Sequence, residues 1–533
     1  MAETGMVGRI DEGLRRIPGR VWGGILACLL LTTGAWAEPA RTVRLDTGRA
    51  AGVATGGVAA YLGLPYAAPP VGDLRWRPPR PAASWTGVRP AVAFAPACPQ
   101  RGVSMPGEPP PRTAEDCLYL NVWTPVRRPA KPLPVLVWIH GGGWTNGATS
   151  LPLYAGDTLA ARGVVVVSVA YRLGPLGFLA HPELSREDGA SSGDYGLMDQ
   201  IAALEWVRRD IAVFGGDPGR VTIAGQSAGA MSISLLVASP AAKGLFHRAI
   251  AQSGGVFEPL QLAPGYGLAA AERDGQAFAR AHGAGSIADL RALPVEALLA
   301  GAAPVSHPVV GARVLPLSPY EAYVAGRANP VPVLLGWNAE EARSLTDLSG
   351  VRAASFAGDI AKAWGSLPPD LLAAYPFTDD ASAATARADF ERDLRFGWDM
   401  WAWARLQARA GSPAYFYRFS RRPPFPPDGP QAGWGAAHFA ELWYMFGRLD
   451  QESWAWTSQD RALSAAMLDY WTAFVRDGDP NGPGRPVWPA FVEASPRILG
   501  LDSAITLAAP DLRALSVFDA AYDGARGRPF GDP

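Results

Sequence analysis

The residues whose types and spacing best suit chemistry are Gly225-Gln226-Ser227-Ala228-Gly229. A serine hydroxyl is a weak nucleophile until a base takes its proton, and it must also be presented where a substrate can reach it. The G-x-S-x-G spacing meets the second need. A serine held in a sharp strand-to-helix turn clashes with neighbouring backbone unless small residues flank it. The five-residue pattern alone is common, and its setting gives it weight. Val221–Ala224 reads as a buried strand before the turn, and Met231, Leu235 and Leu236 mark a helix after it. Ser227 then sits at a helix N-terminus, whose partial positive charge favours a developing oxyanion.

A second glycine cluster, His140-Gly141-Gly142-Gly143-Trp144, follows the apolar run Val135–Ile139. Backbone N–H groups unshielded by Cβ atoms approach a substrate oxygen closely, and the N–H of Ala228, just after the serine, adds a further donor. No Lys-Ser/Thr pair follows these glycines, which argues against a phosphate-cradling loop.

A nucleophile in such an elbow takes its acid and then its base from later in the chain. Four histidines follow Ser227: His247, His282, His307 and His438. His247 comes too soon after the elbow helix to swing back easily, and His282 and His307 lie in Ala/Gly-rich segments without a distinctive frame. His438 ends the small-residue loop Gly435-Ala436-Ala437, ahead of an aromatic stretch, so it can reach over a sheet edge to the serine. The acid is expected after a strand between the two. The run Val331–Leu335 leads into Gly336-Trp337-Asn338-Ala339-Glu340-Glu341, and on chemistry alone either glutamate could orient the histidine.

Elements able to hold these groups recur along the chain. Val135–Ile139, Val164–Ala170, Ala249–Ala251, Val331–Leu335 and Tyr415–Phe419 read as further strands, and helical spacing runs from Asp199 to Phe214. Strands alternating with helices predict an α/β fold, a mostly parallel sheet covered on both faces. The Ala-rich stretch from about 265 to 325 reads as helical insertions over the carboxyl edge of that sheet. With hydrophobic residues at 48% and charged residues at 18%, the 533-residue chain can bury a large core. Its 48 basic and 49 acidic residues give no basic field for nucleic acid. Lysine occurs only at 131, 243 and 362, which suggests GC-rich coding and a bacterial source.

The first 37 residues read as a signal peptide. Arg9, Arg15, Arg16 and Arg20 precede an apolar run from Val21 to Thr33, and Ala35-Trp36-Ala37 supplies a small-x-small cleavage site. The run is short for a membrane span, so no stable span is expected after cleavage. Residues 38–533 are then expected to form a single domain, exported to the periplasm or beyond. If Cys28 leaves with the signal, Cys98 and Cys117 remain, an even pair that an oxidising compartment would allow to join.

Taken together, these residues resemble the type-B carboxylesterase and cholinesterase-like family of α/β-hydrolases, in a bacterial, para-nitrobenzyl-esterase-like form. The resemblance runs from about Val43 to Asp519. It is carried by Pro70–Trp76, Glu115–Val122, Phe214–Pro218, the two glycine motifs, Gln252-Ser253-Gly254, Asp469-Tyr470-Trp471 and Gly478-Asp479-Pro480-Asn481. It implies Glu341 as the acid, with Glu340 in place of a usual Asp and Ala342 in place of a usual Gly. It implies His438 as the base, oxyanion donors at Gly142, Gly143 and Ala228, and a Cys98–Cys117 disulfide. Structural ion pairs Arg75–Glu115 and Arg172–Asp199 are implied as well.

The function implied is hydrolysis of small to medium carboxylic esters through an acyl-enzyme, with no metal and no organic cofactor. A catalytically silent binding protein on the same fold would be expected to lack the nucleophile, and Ser227 is present. A lipase acting on lipid aggregates is a rival reading within the class, though no amphipathic lid is evident. Choline esters are disfavoured, because no aromatic residue lies between Cys98 and Cys117 to stack on a quaternary ammonium.

Overall fold

The computed structural model describes residues 38–532, apart from 103–104, 106–107, 128, 188, 190, 302–306 and 366–368. The expected signal segment, residues 1–37, lies outside the described residues. The described residues form one compact unit.

Its frame is a 12-stranded mixed sheet. In spatial order the centre runs Tyr119–Pro125, Val165–Val169, Leu133–Ile139, Gly216–Gln226, Arg248–Gln252, Val333–Asn338, Ala414–Phe419 and Ile498–Leu501. From Val165–Val169 to Ile498–Leu501 every neighbouring pair is parallel. The parallel centre is the expected one, and the flanks are antiparallel. Short connections account for two of these pairs, Val53–Thr55 with Val58–Pro65 and Ile498–Leu501 with Ile505–Ala508. Gly56-Gly57 joins Val53–Thr55 to Val58–Pro65, and so tight a turn can link only antiparallel neighbours.

The central strands are buried on both faces, and their alternate side chains feed two cores. Val135, Val137, Ile139, Val221, Ile223, Val333 and Leu335 pack with residues of the helices Tyr195–Asp210, Ala228–Ala238, Trp398–Arg409 and Arg513–Arg526. Leu136, Trp138, Ala224, Ile250 and Leu334 pack instead with Leu442–Met445 and the helix Ser458–Asp477. This is why the strands read as continuous apolar runs rather than as alternating ones. Registers of one residue along the parallel pairs, such as Gly225 beside Ile139 and Ala251, bring the carboxyl ends of adjacent strands to one edge.

Two local departures have physical causes. The strand expected from Val221 already starts at Gly216, with a register break before Val221 where Asp217-Pro218 interrupts the ladder. The helix expected to reach Phe214 ends at Asp210, and its last turn tightens to a 3-10 turn closed by left-handed Gly215. The 265–325 stretch forms the helices Leu268–Ala281, Ile287–Ala292, Val295–Leu298 and Pro319–Val324. Its first helix lies on the Ala180 segment so closely that a Cβ at Gly275 would fall 1.7 Å from the Ala180 carbonyl oxygen.

Cys98 and Cys117 form a disulfide. Both implied ion pairs are present. Arg172 binds Asp199 through Nε and Nη2 at 2.7 and 2.8 Å, with both side chains buried. Arg75 binds Glu115 at 2.5 and 2.6 Å and also donates to the carbonyls of Arg291 and Leu293, tying the helical insertion to the frame.

Candidate active site

Ser227 stands between the strand Gly216–Gln226 and the helix Ala228–Ala238, with φ 58° and ψ −130°. That conformation is strained for a residue with a Cβ and is held only because its surroundings over-determine it. Gly225 and Gly229 show how. A Cβ at Gly229 would fall 2.1 Å from the Ile139 carbonyl oxygen, and one at Gly225 would fall 2.6 Å from the backbone of Gly229. From Val221 to Ala230 every residue is buried except Ser227, which is half-buried. The first backbone bond of the helix runs from Met231 N–H to Ser227 O, so the N–H of Ala228 precedes the helical ladder.

The second glycine loop leans on this elbow. A Cβ at Gly141 would fall 2.6 Å from Gln226 O and 2.9 Å from Ser227 Cβ. Gly142 and Gly143 both have positive φ, 105° and 59°. Gly142 is hemmed in, since its Cβ would meet Asn146 O at 2.1 Å, whereas a Cβ at Gly143 would meet only Thr145 Oγ1, at an ordinary 3.8 Å. Gly142 O accepts from Thr145 N–H and Asn146 N–H, which fixes the loop from within. His140 lies buried below, stacked on Tyr171, and burial pushes its pKa down to about 4, so it stays neutral.

Among the described residues, His438 is the one of the four histidines after Ser227 that meets a carboxylate. Its Nδ1 lies 2.5 Å from Glu341 Oε2, and both side chains are buried. A carboxylate can only accept, so the ring proton is on Nδ1 and Nε2 carries the lone pair. Glu341 Oε1 accepts from Ser253 Oγ–H and from the Asn338 N–H, each at 2.6 Å. Phe396 stacks on the imidazole at 4.7 Å with 14° between the planes. The other histidines have structural settings: His247 Nδ1 accepts from Val221 N–H, His282 lies between the Phe278 and Ala297 carbonyls, and His307 stacks on Tyr266.

The imidazole reaches the elbow through Gln226. The amide Nε2 of Gln226 lies 3.0 Å from His438 Nε2 and 3.3 Å from its Nδ1, so it sits against the ring rather than in line with one lone pair. Among the described residues the hydrogen-bonding partners of the ring are thus Glu341 and Gln226, with Ser227 next to the latter in the chain.

A second buried carboxyl, Glu441, lies behind Glu341. Its Oε1 accepts from Gln252 Nε2 at 3.1 Å and its Oε2 from Asn338 Nδ2 at 2.5 Å. Burial, followed by the nearby charge of Glu341, pushes its pKa up to about 7. Sequence reasoning gave no role to Glu441, Asn338 or Phe396. Gln252-Ser253 was visible only as part of a family motif, and nothing in the residue types announced that Ser253 would hold the acid. Among the described residues no cluster of His, Cys, Asp and Glu is suited to a metal ion.

The sequence profile of the carboxylesterase family matches residues 39–356 and 371–515. The chain is 35% identical to a fumonisin B1 esterase of Sphingopyxis macrogoltabida over 493 residues, 88% of each chain. It is 36% identical to a para-nitrobenzyl esterase of Bacillus subtilis over 492 residues, 87% of this chain and 95% of that one. A solved PNB esterase structure superposes with a TM-score of 0.77 at 33% identity, covering 90% of this chain and 99% of that one. The chain belongs to the carboxylesterase family, has its α/β-hydrolase fold, and is a carboxylic ester hydrolase.

Proposed function

We propose that the chain cleaves small to medium carboxylic esters through an acyl-enzyme, with Ser227 as nucleophile, His438 as base and Glu341 as the acid that orients the base. The observation that carries this reading is the buried 2.5 Å contact between His438 Nδ1 and Glu341 Oε2. It leaves the lone pair on Nε2, and Gln226, the residue before Ser227, lies against the same ring.

Before attack the Ser227 hydroxyl donates to that lone pair, a contact of the kind that tightens on going from free enzyme to substrate complex. His438 then takes the serine proton as Oγ bonds to the ester carbonyl carbon, and Glu341 stabilises the imidazolium. The carbonyl oxygen, now negative, is met by the N–H groups of Gly142, Gly143 and Ala228, each worth roughly 3 kcal/mol in the transition state. The imidazolium returns the proton to the leaving alcohol. Water repeats the sequence on the acyl-enzyme and frees the acid. None of these steps calls for a metal or an organic cofactor.

The helices of the described residues include none long and apolar enough to cross a membrane. The Cys98–Cys117 disulfide supports an exported protein whose first 37 residues act as a signal. The test of the catalytic reading is labelling by a fluorophosphonate probe together with hydrolysis of a nitrophenyl acyl ester. Wild-type protein should take up one equivalent of probe, and Ser227→Ala should take up none and lose turnover. Retained turnover in that variant would sink the assignment.

A further inference from the structure

Base and acid come from loops far apart in sequence, and some structural feature must hold one loop against the other. Loops are by default the loosest part of a fold, and a misplacement of about 1 Å in a reacting group can cost two orders of magnitude in rate. Glu340, the residue before the acid, contacts the base's loop directly. Its N–H donates to Ala436 O at 2.9 Å, and its Oε2 accepts from Ala436 N–H at 2.8 Å. The result is a reciprocal pair of hydrogen bonds between the residue next to Glu341 and the residue two before His438.

The carboxylate is itself held in place. Arg422, just beyond the adjacent strand Ala414–Phe419, binds both oxygens at 2.8 Å, and Arg343 binds Oε1 at 3.0 Å. Gly435 leaves the room it needs, for a Cβ there would fall 2.1 Å from Glu340 Oε2. The group borders an open recess of about 290 Å³, shared by Arg343, Arg422, Phe425 and Gly433, and is not embedded in a core. Its contacts therefore serve alignment of the two loops more than burial.

We propose that Glu340 is a positioning residue, clamping the His438 loop to the Glu341 loop through Ala436 under the hold of Arg422 and Arg343. This rests on the reading of Ser227, His438 and Glu341 given above. It also assigns separate tasks to the two adjacent glutamates, which chemistry alone leaves interchangeable.

The experiment measures kcat per titrated active site, KM and the urea midpoint for Glu340→Ala, Glu340→Gln and Arg422→Gln in the full protein. Glu340→Ala should lower kcat about 10- to 100-fold, while KM stays within about twofold and the urea midpoint stays near that of wild type. Glu340→Gln keeps an oxygen for the Ala436 N–H and should recover most of the loss. A role in folding alone would reduce the number of titratable sites and leave kcat per site untouched.

Unchanged kcat per site in Glu340→Ala, or no recovery in Glu340→Gln, overturns the clamp. If Glu340→Ala does not fold, Arg422→Gln, whose side chain is 70% exposed, loosens the same carboxylate from outside. A smaller fall in kcat at constant KM then supports the proposal, and an unchanged kcat overturns it. Failure of the catalytic reading looks different, because Ser227→Ala would then keep its turnover whatever Glu340 does.

Discussion

Glu341 and His438, 97 residues apart in the chain, meet at 2.5 Å inside the protein, carboxylate oxygen to ring nitrogen. The other oxygen of Glu341 takes two further donors, Ser253 Oγ–H and Asn338 N–H. Every partner of this carboxylate is a donor, which suits an ionised acid and fixes the tautomer of the base.

An amide in place of Glu341 would turn an NH2 toward one of those donors. Glu341→Gln should therefore lower kcat by roughly 10³- to 10⁴-fold, the scale on which a misoriented or wrong-tautomer histidine costs an enzyme of this type. Glu340→Gln should lose little by comparison. Steady-state kinetics on one nitrophenyl acyl ester compares the two, and a reversed order would transfer the orienting role to Glu340.

Ser253→Ala removes one donor to Glu341 Oε1 and leaves the Asn338 N–H in place. A hydrogen bond to a charged group contributes about 1.5–3 kcal/mol, so a fall in kcat of the order of tenfold or more is expected. KM should hardly move, because Ser253 is buried and acts through the acid. A rise in KM without loss of kcat would place Ser253 in substrate binding instead.

What the sequence made legible divides along a physical line. Ser227, the glycine loops and the parallel core announce themselves through short-range patterns: small residues at a forced turn, and apolar runs buried on both faces. The antiparallel flanks carry no such signal, since strands as short as Val53–Thr55 contribute too few residues to show a period. Glu441 and Phe396 are invisible for another reason. Their importance is a matter of contact with His438 or Glu341 and of burial, which no local spacing encodes. Glu340 and Glu341 have the same side chain, so chemistry alone does not separate them; the family resemblance and the contacts with His438 and Ala436 do.

The two central glycines of the second loop should differ on substitution. Gly142→Ala puts a Cβ 2.1 Å from Asn146 O at φ 105°, so the loop must open. Loss of a single oxyanion donor costs roughly 10²- to 10³-fold in kcat, and Gly142→Ala should reach that scale. Gly143→Ala meets only Thr145 Oγ1, at an ordinary 3.8 Å, and has a φ of 59°, a left-handed conformation that L residues can adopt. Its penalty, about 1 kcal/mol of backbone strain, should leave a measurably more active enzyme. Equal losses in the two variants would show that sterics around the loop do not govern it.

The Cys98–Cys117 bridge closes a loop with a sequence separation of 19. In the chain-entropy account a loop of this size contributes about 3 kcal/mol. A Cys98→Ala/Cys117→Ala variant should lose stability on that scale in urea unfolding while keeping kcat, since neither cysteine is among the partners of the Ser227 elbow or of His438. A fall in kcat per titrated site would tie the loop to substrate binding.

Glu441 supplies a pH-dependent term with a definite sign. Its folded pKa of about 7 lies above its ordinary value of 4.5, because burial and the charge of Glu341 both oppose ionisation. Between these values the unfolded chain gives up a proton that the folded protein retains, so ΔG of unfolding falls as pH rises. The contribution is fully favourable below the unfolded value, declines through the window and is constant once the folded group has ionised. A shift of this size corresponds to roughly 3 kcal/mol. Glu441→Gln removes the titration, whatever fixed cost the amide brings at its contacts with Gln252 and Asn338. Urea unfolding at pH 5 and pH 8 should therefore show a smaller loss of stability across the window in the variant than in the wild type. That fixed cost cancels when each protein is compared with itself. An identical decrement in the two proteins would mean that Glu441 is already ionised at pH 5, and that its hydrogen bonds to Asn338 and Gln252 outweigh its burial beside Glu341.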